Sequence, residues 1–487
     1  MRGQPNRHTI PMLLYEDLAH QITGLIHDGV MRPGDRLPSV RQLAQQQKLS
    51  ISTVMQALRS LETHGLVEAR PQSGFYVRGK AQRVVNYQPV NDIPEAVDVD
   101  LSARLMRVLH LNQTPGIVQM GSAIPAPALL LAPRLNTLYS RIARTQPGLL
   151  ATGSHDNISE PVLVNTLVRR YLEWGCTVRP EQVVITNSCT EALMLCLRTV
   201  TRQGDTVAVE SPTYYVMLQL LEAMGLKALE IPTHPETGVS VEALELATRD
   251  GGVAACLFIP NGSNPLGCVM PDANKQAVAR LLAERNIPLI EDDLYGDLCN
   301  TPERPRPIYA FDRSGNTMLC SSFSKTVSPA LRIGFVAGGK RARQVLFQKT
   351  VNSGKTNVIT QRVLAALMDS RGFDAHLRTL RRRLNEQVAR MRDAVTRHFP
   401  ADTRVTNPQG GFVLWIELPD DIDTVKLHGK AIEQGIATVP GPLFSASGRY
   451  RNFLRLACGQ PWGEATDHAV ARLAQLIQAT PARSRKA

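Results

Sequence analysis

Ser321-Ser322-Phe323-Ser324-Lys325-Thr326-Val327-Ser328-Pro329-Ala330-Leu331-Arg332-Ile333-Gly334-Phe335 is the stretch on which the reading of this 487-residue chain turns. The apolar run Met318-Leu319-Cys320 leads into it and predicts a buried strand that ends at the polar cluster. Lys325 therefore stands at a strand end, with Ser322 and Ser324 before it and Arg332 after it. Desolvation lowers a lysine pKa and frees the amine as a nucleophile. Flanking hydroxyls and an arginine then suit a Schiff base to an aldehyde that carries a phosphate. The same residues also suit a surface lysine in a polar turn, and the stretch alone leaves both readings open.

Outward from it, residues 116–480 alternate short apolar strands with amphipathic helices, the pattern of an α/β domain on a mainly parallel sheet. Val183-Val184-Ile185 runs into Asn187-Ser188-Cys189-Thr190, and Val207-Ala208-Val209 into Pro212-Thr213-Tyr214. Cys256-Leu257-Phe258-Ile259 runs into Asn261 to Asn264, and Pro288-Leu289-Ile290 into Glu291-Asp292-Asp293-Leu294-Tyr295. Ligands of open α/β sheets gather beyond the carboxyl ends of strands, so these clusters are expected to share one site.

Each cluster offers a different chemical part. Ser188, Cys189 and Thr190 precede a helix expected from Glu191 to Val200, whose N–H groups and dipole make an anion site. A capping box between Ser188 and Glu191 is compatible with that role. Tyr214 can stack on a flat ring or fill core. Asp292 can hold a protonated pyridine nitrogen, while Asn264 and Tyr295 can hydrogen-bond a ring hydroxyl. An acidic pair after a strand is also a common metal site, but no histidine is near it and a metal leaves Lys325 unexplained. Arg455 interrupts the apolar strand Phe453-Leu454-Arg455-Leu456-Ala457. A buried guanidinium there needs a ligand carboxylate or a structural ion pair.

Asn-Pro-Leu-Gly at 264–267, Asp292 with Tyr295, and Ser-Phe-Ser-Lys at 322–325 with Arg332 together resemble the fold type I, aspartate-aminotransferase-like pyridoxal-phosphate proteins. The resemblance covers residues 116–480 and implies pyridoxal 5'-phosphate as cofactor. It makes Lys325 the Schiff-base lysine, Asp292 the pyridine-nitrogen partner and Arg455 the grip for an amino acid carboxylate, with Tyr295 beside the reaction. It places Ser188, Cys189, Thr190, Ser322, Ser324 and Arg332 in or near the phosphate-binding elements. Members usually carry a Gly-rich turn whose tyrosine reaches the neighbouring subunit's phosphate. Here the chain reads Gly153-Ser154-His155-Asp156-Asn157-Ile158-Ser159-Glu160, without a tyrosine.

Residues 12–78 read as a separate, smaller domain. Leu14, Leu18, Ile22 and Leu25-Ile26 predict a helix over 13–28 that stops near Gly29, and Arg32-Pro33-Gly34-Asp35 a turn. Ser39 is placed to cap a second helix through Leu43 and Ala44. Ser50 starts a third, with Val54, Ala57, Leu58 and Leu61 as its buried stripe and Gly65 as its stop. Its opposite face carries Ser52, Thr53, Gln56 and Arg59, groups that can reach phosphates and base edges in a major groove. Leu66 to Arg70 and Phe75 to Val77 alternate like two strands around Pro71-Gln72-Ser73-Gly74, which completes a winged helix-turn-helix. Met1 to Arg83 holds eleven Lys/Arg against six Asp/Glu, an excess that favours nucleic acid over a protein-interaction module.

The run Gly34 to Ala44, Ser52-Thr53-Val54, and Leu61-Glu62-Thr63-His64-Gly65-Leu66-Val67 resembles the GntR family of bacterial DNA-binding domains. That resemblance assigns DNA contacts to Arg41, Ser52, Thr53 and the wing from Arg70 to Gly74. Ile51 and Met55 stand where many relatives carry arginine.

The formal net charge of +12 also favours an anionic partner, and no apolar run reaches the roughly 18 residues of a membrane span. The eight cysteines show no metal-type spacing, and the start lacks an apolar signal core, so reduced thiols in the cytoplasm are expected. Residues 79–115, with several prolines and an acidic run, read as a linker in which Ala103 to Leu109 can form a short helix leading into the next domain, residues 481–487 as a basic tail, and Arg378, Arg381, Arg382 and Arg383 as a solvated helix face or a second DNA contact. The order of domains resembles the MocR subfamily: an α+β winged helix-turn-helix followed by an α/β aminotransferase-like domain. It implies a homodimeric regulator that binds double-stranded DNA and senses an amino acid, another amine or the cofactor itself. An aminotransferase with an added DNA-binding domain is the other reading, since imine exchange is the first step of both.

Overall fold

Apolar residues at helical spacing fold the first of two units, Met1–Arg83, around one small core. The structure, a computed structural model, describes residues 14–27, 31, 35–63, 66–70, 74–77, 95–112, 116–151 and 159–479. The expected helix stops at Gly29 and Gly65, the turn at Arg32-Pro33-Gly34, the wing tip Pro71-Gln72-Ser73, the turn from Gly153 to Ile158 and the basic tail lie outside them.

Helices α1 (Leu14–His27), α2 (Val40–Gln47) and α3 (Ile51–Thr63) precede the hairpin β1 (Val67–Arg70) and β2 (Gly74–Val77). Leu18, Ile22, Leu43, Val54, Ala57, Leu58, Leu61, Val67 and Val77 share the core. Ser39 caps α2 in a reciprocal box with Gln42, and Lys48 leaves it in the left-handed conformation (φ 54°), which turns the chain into α3. At the start of α3 the Ser50 hydroxyl accepts from the Thr53 amide at 3.1 Å.

The second unit, Val84–Ala487, is built on a nine-stranded sheet. Its strands are β3 (Ala96–Asp98), β4 (Val183–Thr186), β5 (Thr206–Ser211), β6 (Lys227–His234), β7 (Val253–Phe258), β8 (Leu289–Asp292), β9 (Thr317–Ser322) and β10 (Gly334–Ala337). They lie in the order β3-β6-β5-β7-β8-β9-β10-β4, with Gly238–Val239 paired on β6. The run β6-β5-β7-β8-β9 is parallel, whereas β10 is antiparallel to both neighbours. The parallel strands are buried on both faces, hence their unbroken apolar runs. A second, four-stranded antiparallel sheet has β11 (Val413–Glu417) and β12 (Phe453–Ala457) as its central pair.

Of the expected linker, residues 95–112 are described, and they pack into the second unit rather than stand free of it. Strand β3 pairs with β6, and helix α4 (Ser102–Leu111) buries Leu105 and Val108 in the same core as Val99 and Leu101. The short helix expected from Ala103 to Leu109 lies within α4, and what the linker reading lacks is its burial. Glu222 holds the start of α4, accepting from the Leu101 and Ser102 amides at 2.9 Å each.

Candidate functional site

Strand alternation decides which member of Glu291-Asp292-Asp293 is free for chemistry. Glu291 accepts from the Ile308 and Tyr309 amides, and Asp293 pairs with Arg304 and accepts from Asn261. Asp292, at the end of β8, faces the other way into a cavity of about 200 Å³. The acidic run therefore does not converge as a metal site. Among the described residues no cluster of His, Cys, Asp and Glu could hold an ion. Adjacent β9 ends at Ser322, and its continuation sets Lys325 on the same cavity wall. The two strand ends are locked together by the Asp293 amide on the Cys320 carbonyl at 2.9 Å and the Ser321 hydroxyl on the Asp293 carbonyl at 3.0 Å.

All eleven residues expected around the cofactor line this cavity: Ser188, Cys189, Thr190, Tyr214, Asn264, Asp292, Tyr295, Ser322, Ser324, Lys325 and Arg332. Helix α5 (Cys189–Val200) points its N-terminus at it. Ser188 caps the helix by accepting from the Glu191 amide at 3.1 Å, which leaves the Cys189 and Thr190 amides without intrahelical acceptors. The reciprocal half of the expected capping box is different. The Glu191 carboxylate takes the Asn187 amide and pairs with Lys349, a fully buried lysine of α6 (Ala342–Asn352), at 3.1 Å. Ser322 and Ser324 share a 2.9 Å hydroxyl contact, and Arg332 sits in the left-handed region (φ 51°), a strained conformation that often marks a functional loop.

Burial governs the electrostatics. The Asp292 carboxyl is pushed up to about 6 by desolvation, against the lowering effect of donors from Cys189 and the Leu294 amide. Desolvation, and then the nearby Arg455 cation, brings the Lys325 amine down to about 8. At neutral pH that leaves on the order of a hundredfold more free amine than an ordinary lysine has. Burial raises the Tyr295 phenol, which stays a hydrogen-bond donor.

Arg455 is fully buried in β12, between Trp415 and Val439 in register. It donates through Nη2 to the Gly121 carbonyl, while Nε and Nη1 have no partner among the described residues. The rings of Tyr215 and Phe444 lie 5.8 and 5.6 Å away. Two residues along the same segment, the Ala123 carbonyl accepts from Lys325 Nζ at 2.6 Å. Sequence reasoning missed this segment, because a main-chain carbonyl carries no residue signature. It also lines a neighbouring cavity of about 670 Å³ shared by Lys325, Tyr214 and Gln119.

In the N-terminal unit, Ser52, Gln56 and Arg59 form one exposed stripe of α3, and Ser50 and Arg41 are also exposed. Thr53 is half-buried. The Ser50 hydroxyl lies 2.7 Å from that of Ser52 and 2.8 Å from that of Thr53, so these three groups form a small cluster. On the hairpin, Arg70 pairs with Glu68 at 2.7 Å and lies 4.3 Å over the Tyr76 ring. Gly74 needs its freedom, having φ 104° with Arg36 packed against it. On the long helix Phe373–His398, Arg378 and Arg383 are exposed and Arg382 pairs with Glu386 at 2.8 Å, a solvated face.

A partly deprotonated strand-end lysine, a buried carboxylate on the adjacent strand and a helix N-terminus on one cavity define a pyridoxal-phosphate protein of fold type I. The chain belongs to the aminotransferase class I and II family, whose profile matches residues 149–473, and residues 14–77 match bacterial regulatory proteins of the gntR family. Two relatives in Escherichia coli (strain K12), named as uncharacterized HTH-type transcriptional regulators YjiR and YdcR, are each 36% identical. The matches cover 96% of this chain and 99% of each relative. The crystal structure of LysN, the alpha-aminoadipate aminotransferase of Thermus thermophilus complexed with N-(5'-phosphopyridoxyl)-L-leucine, has a TM-score of 0.71 at 26% identity. It covers 77% of this chain and 94% of its own. A gntR-type reader joined to an aminotransferase-like unit makes the chain MocR-like, with pyridoxal phosphate as cofactor.

The residues present fit that group. The side-chain oxygen of buried Asn264 has no partner among the described residues, an amide open to a ligand. Behind the turn at Ser188, Gly334 of β10 lets the Ser188 backbone approach so closely that any Cβ there would lie 2.3 Å from its carbonyl carbon. No helix among the described residues is long and apolar enough to cross a membrane.

Proposed function

We propose that this chain is a pyridoxal-phosphate-dependent, DNA-binding transcription regulator whose aminotransferase-like unit senses an amino acid or another amine. One observation carries the reading: a winged helix-turn-helix and a desolvated, cavity-lining lysine stand on one chain. Pyridoxal phosphate, when bound, supplies an aldehyde carbon at which amines exchange and a ring that draws off electrons.

In this reading the chain's own residues divide the work. Lys325 offers the amine, Asp292 holds the ring nitrogen's proton, and Asn264 and Tyr295 hydrogen-bond the ring hydroxyl. Tyr214 covers the ring, while Ser188, Cys189, Thr190, Ser322, Ser324 and Arg332 hold the phosphate. Arg455 takes the effector's carboxylate in place of the Gly121 carbonyl, so ligand entry moves the segment Gly121–Ala123. That segment abuts Asn112 at the end of α4: a Cβ on Gly121 would lie 2.7 Å from the Asn112 amide nitrogen, which donates to the Thr438 carbonyl at 3.2 Å. A ligand shifts a protein between conformations only by binding them unequally, and this exchange supplies the difference.

The DNA side uses Arg41, Ser50, Ser52, Thr53, Gln56, Arg59, Arg70 and Gly74. A cytoplasmic homodimer would set two α3 helices on two half-sites. Footprinting upstream of the protein's own gene, with amines added singly, tests the regulator. Protection that changes with one amine, and loses that response in Lys325→Ala, supports it. Absence of protection under every condition sinks it. The complete set Lys325, Asp292, Tyr295 and Arg455 favours the second reading, an aminotransferase. Steady turnover of an amino acid with a keto acid and no operator binding would establish that instead.

A further inference from the structure

Cys189 offers its backbone amide to the anion site at the start of α5, and its side chain makes a contact of its own. The thiol Sγ lies 3.5 Å from Oδ1 of Asp292, and the Leu294 amide donates to the same oxygen at 3.0 Å. Both residues are buried and line the same cavity. Among the described residues no donor reaches Oδ2. One carboxylate oxygen is thus occupied by the chain and the other is left for a ligand.

We propose that Cys189 is a positioning residue for the cofactor's ring nitrogen: by donating to Oδ1 of Asp292 it aims Oδ2 at that nitrogen and favours the charged carboxylate. The inference rests on the assignment of Asp292 to the ring nitrogen. A thiol suits the task because burial, and then the Asp292 charge, hold its pKa well above the ordinary thiol value, so it remains an S–H donor. The other groups that act electrostatically on Asp292 are Asp293, which points to the opposite side of the strand end, Lys325 beyond β9, Cys320 on β9, Glu210 on β5 and Tyr295. Burial pushes the Glu210 carboxyl up to about 8, so it is largely uncharged at neutral pH. Lys325 favours the Asp292 charge and Asp293 opposes it. None of these differs between substitutions at position 189, so a Cys-to-Ala and Cys-to-Ser comparison isolates the donor.

Removing a donor from a buried carboxylate raises its pKa. A thiol is a weak donor, so the expected rise is about half a unit to one unit, which lowers the charged fraction about two- to fivefold at pH 6, where the wild-type carboxyl is half charged. The experiment is a titration of the full-length apoprotein with pyridoxal phosphate between pH 5.5 and 8.5, following absorbance of the lysine-bound cofactor. Between pH 8.5 and pH 6, Cys189→Ala should lose about two- to fivefold more affinity than wild type does, while Cys189→Ser, which keeps a donor, should follow the wild-type pH profile. Equal behaviour of the two variants across the pH range overturns the inference, because packing alone does not distinguish a hydroxyl from a methyl by pH. Asp292→Asn separates the levels. If it leaves affinity and absorbance unchanged, the ring-nitrogen assignment fails and takes the inference with it. If it weakens binding at every pH while the two Cys189 variants behave alike, the inference fails alone.

Discussion

Gly334→Ala places a steric wedge under the Ser188–Thr190 turn, proposed above to hold the cofactor's phosphate, without altering any side chain assigned to the site. Its Cβ would stand 2.3 Å from the Ser188 carbonyl carbon, 2.5 Å from the Ser188 oxygen and 2.7 Å from the Cys189 nitrogen. Non-bonded heavy atoms settle at roughly 3.5 Å, so strand and turn must separate by about 1 Å. All three neighbours are backbone, and Gly334 is held in β10 by pairing with Thr186 and Ser322, so no rotamer change relieves the overlap. Overpacking of this kind costs about 1–3 kcal/mol. If the turn gives way, the Cys189 and Thr190 amides withdraw from the phosphate by a similar distance. Hydrogen bonds to a charged group are worth about 1.5–3 kcal/mol each, and about 1.4 kcal/mol is tenfold in affinity. Pyridoxal-phosphate affinity should fall 10- to 100-fold, measured by absorbance titration of the apoprotein. Gly429→Ala is the control: no heavy atom lies within 4 Å of its added Cβ, and its helix Thr424–Glu433 should gain up to about 1 kcal/mol at unchanged affinity. A Gly334→Ala protein that binds the cofactor within twofold of wild type would refute the reasoning, whatever its melting temperature.

Three further outcomes are expected. Lys325 at about 8 means that free amine grows tenfold per pH unit below that value and saturates above it. The rate of reconstitution with pyridoxal phosphate, followed by stopped-flow absorbance, should therefore climb from pH 6.5 to about 8 and level off. A rise continuing to pH 9.5 would assign Lys325 an ordinary amine. Gly121→Ala drives a Cβ to within 2.7 Å of Asn112 and should loosen the Gly121 carbonyl from Arg455. Amino acids should then bind several-fold tighter in the same absorbance assay, and unchanged affinity counts against the segment as a competitor for Arg455. Arg41→Glu should weaken operator binding and reduce the slope of log affinity against log salt by about one for each phosphate that the variant no longer neutralises. Arg70→Glu should do less, since Arg70 already pairs with Glu68; unchanged salt slopes for both variants would contradict the assigned DNA face.

The sequence by itself determined the elements and the chemical parts of the site. Apolar runs ending in polar clusters located β4, β5, β7, β8 and β9, because strands buried on both faces must be apolar and their ends must turn. Ser39, Ser50 and the stripe from Val54 to Leu61 likewise announced α2 and α3, since caps and helical periodicity are local properties. What the tertiary structure decided was which groups meet. Only strand pairing sets Asp292 beside Lys325 and turns Glu291 and Asp293 to other partners. Only the packed fold brings α4 into the core rather than a linker, sends Glu191 to Asn187 and Lys349, and puts the Cys189 thiol on Asp292. It also sets the carbonyls of Gly121 and Ala123 against Arg455 and Lys325. The physical reason is common to these cases. Hydrophobic patterning specifies which face of an element is buried, whereas the partner of a buried polar atom depends on distances between segments far apart in sequence, and backbone partners leave no trace in residue type.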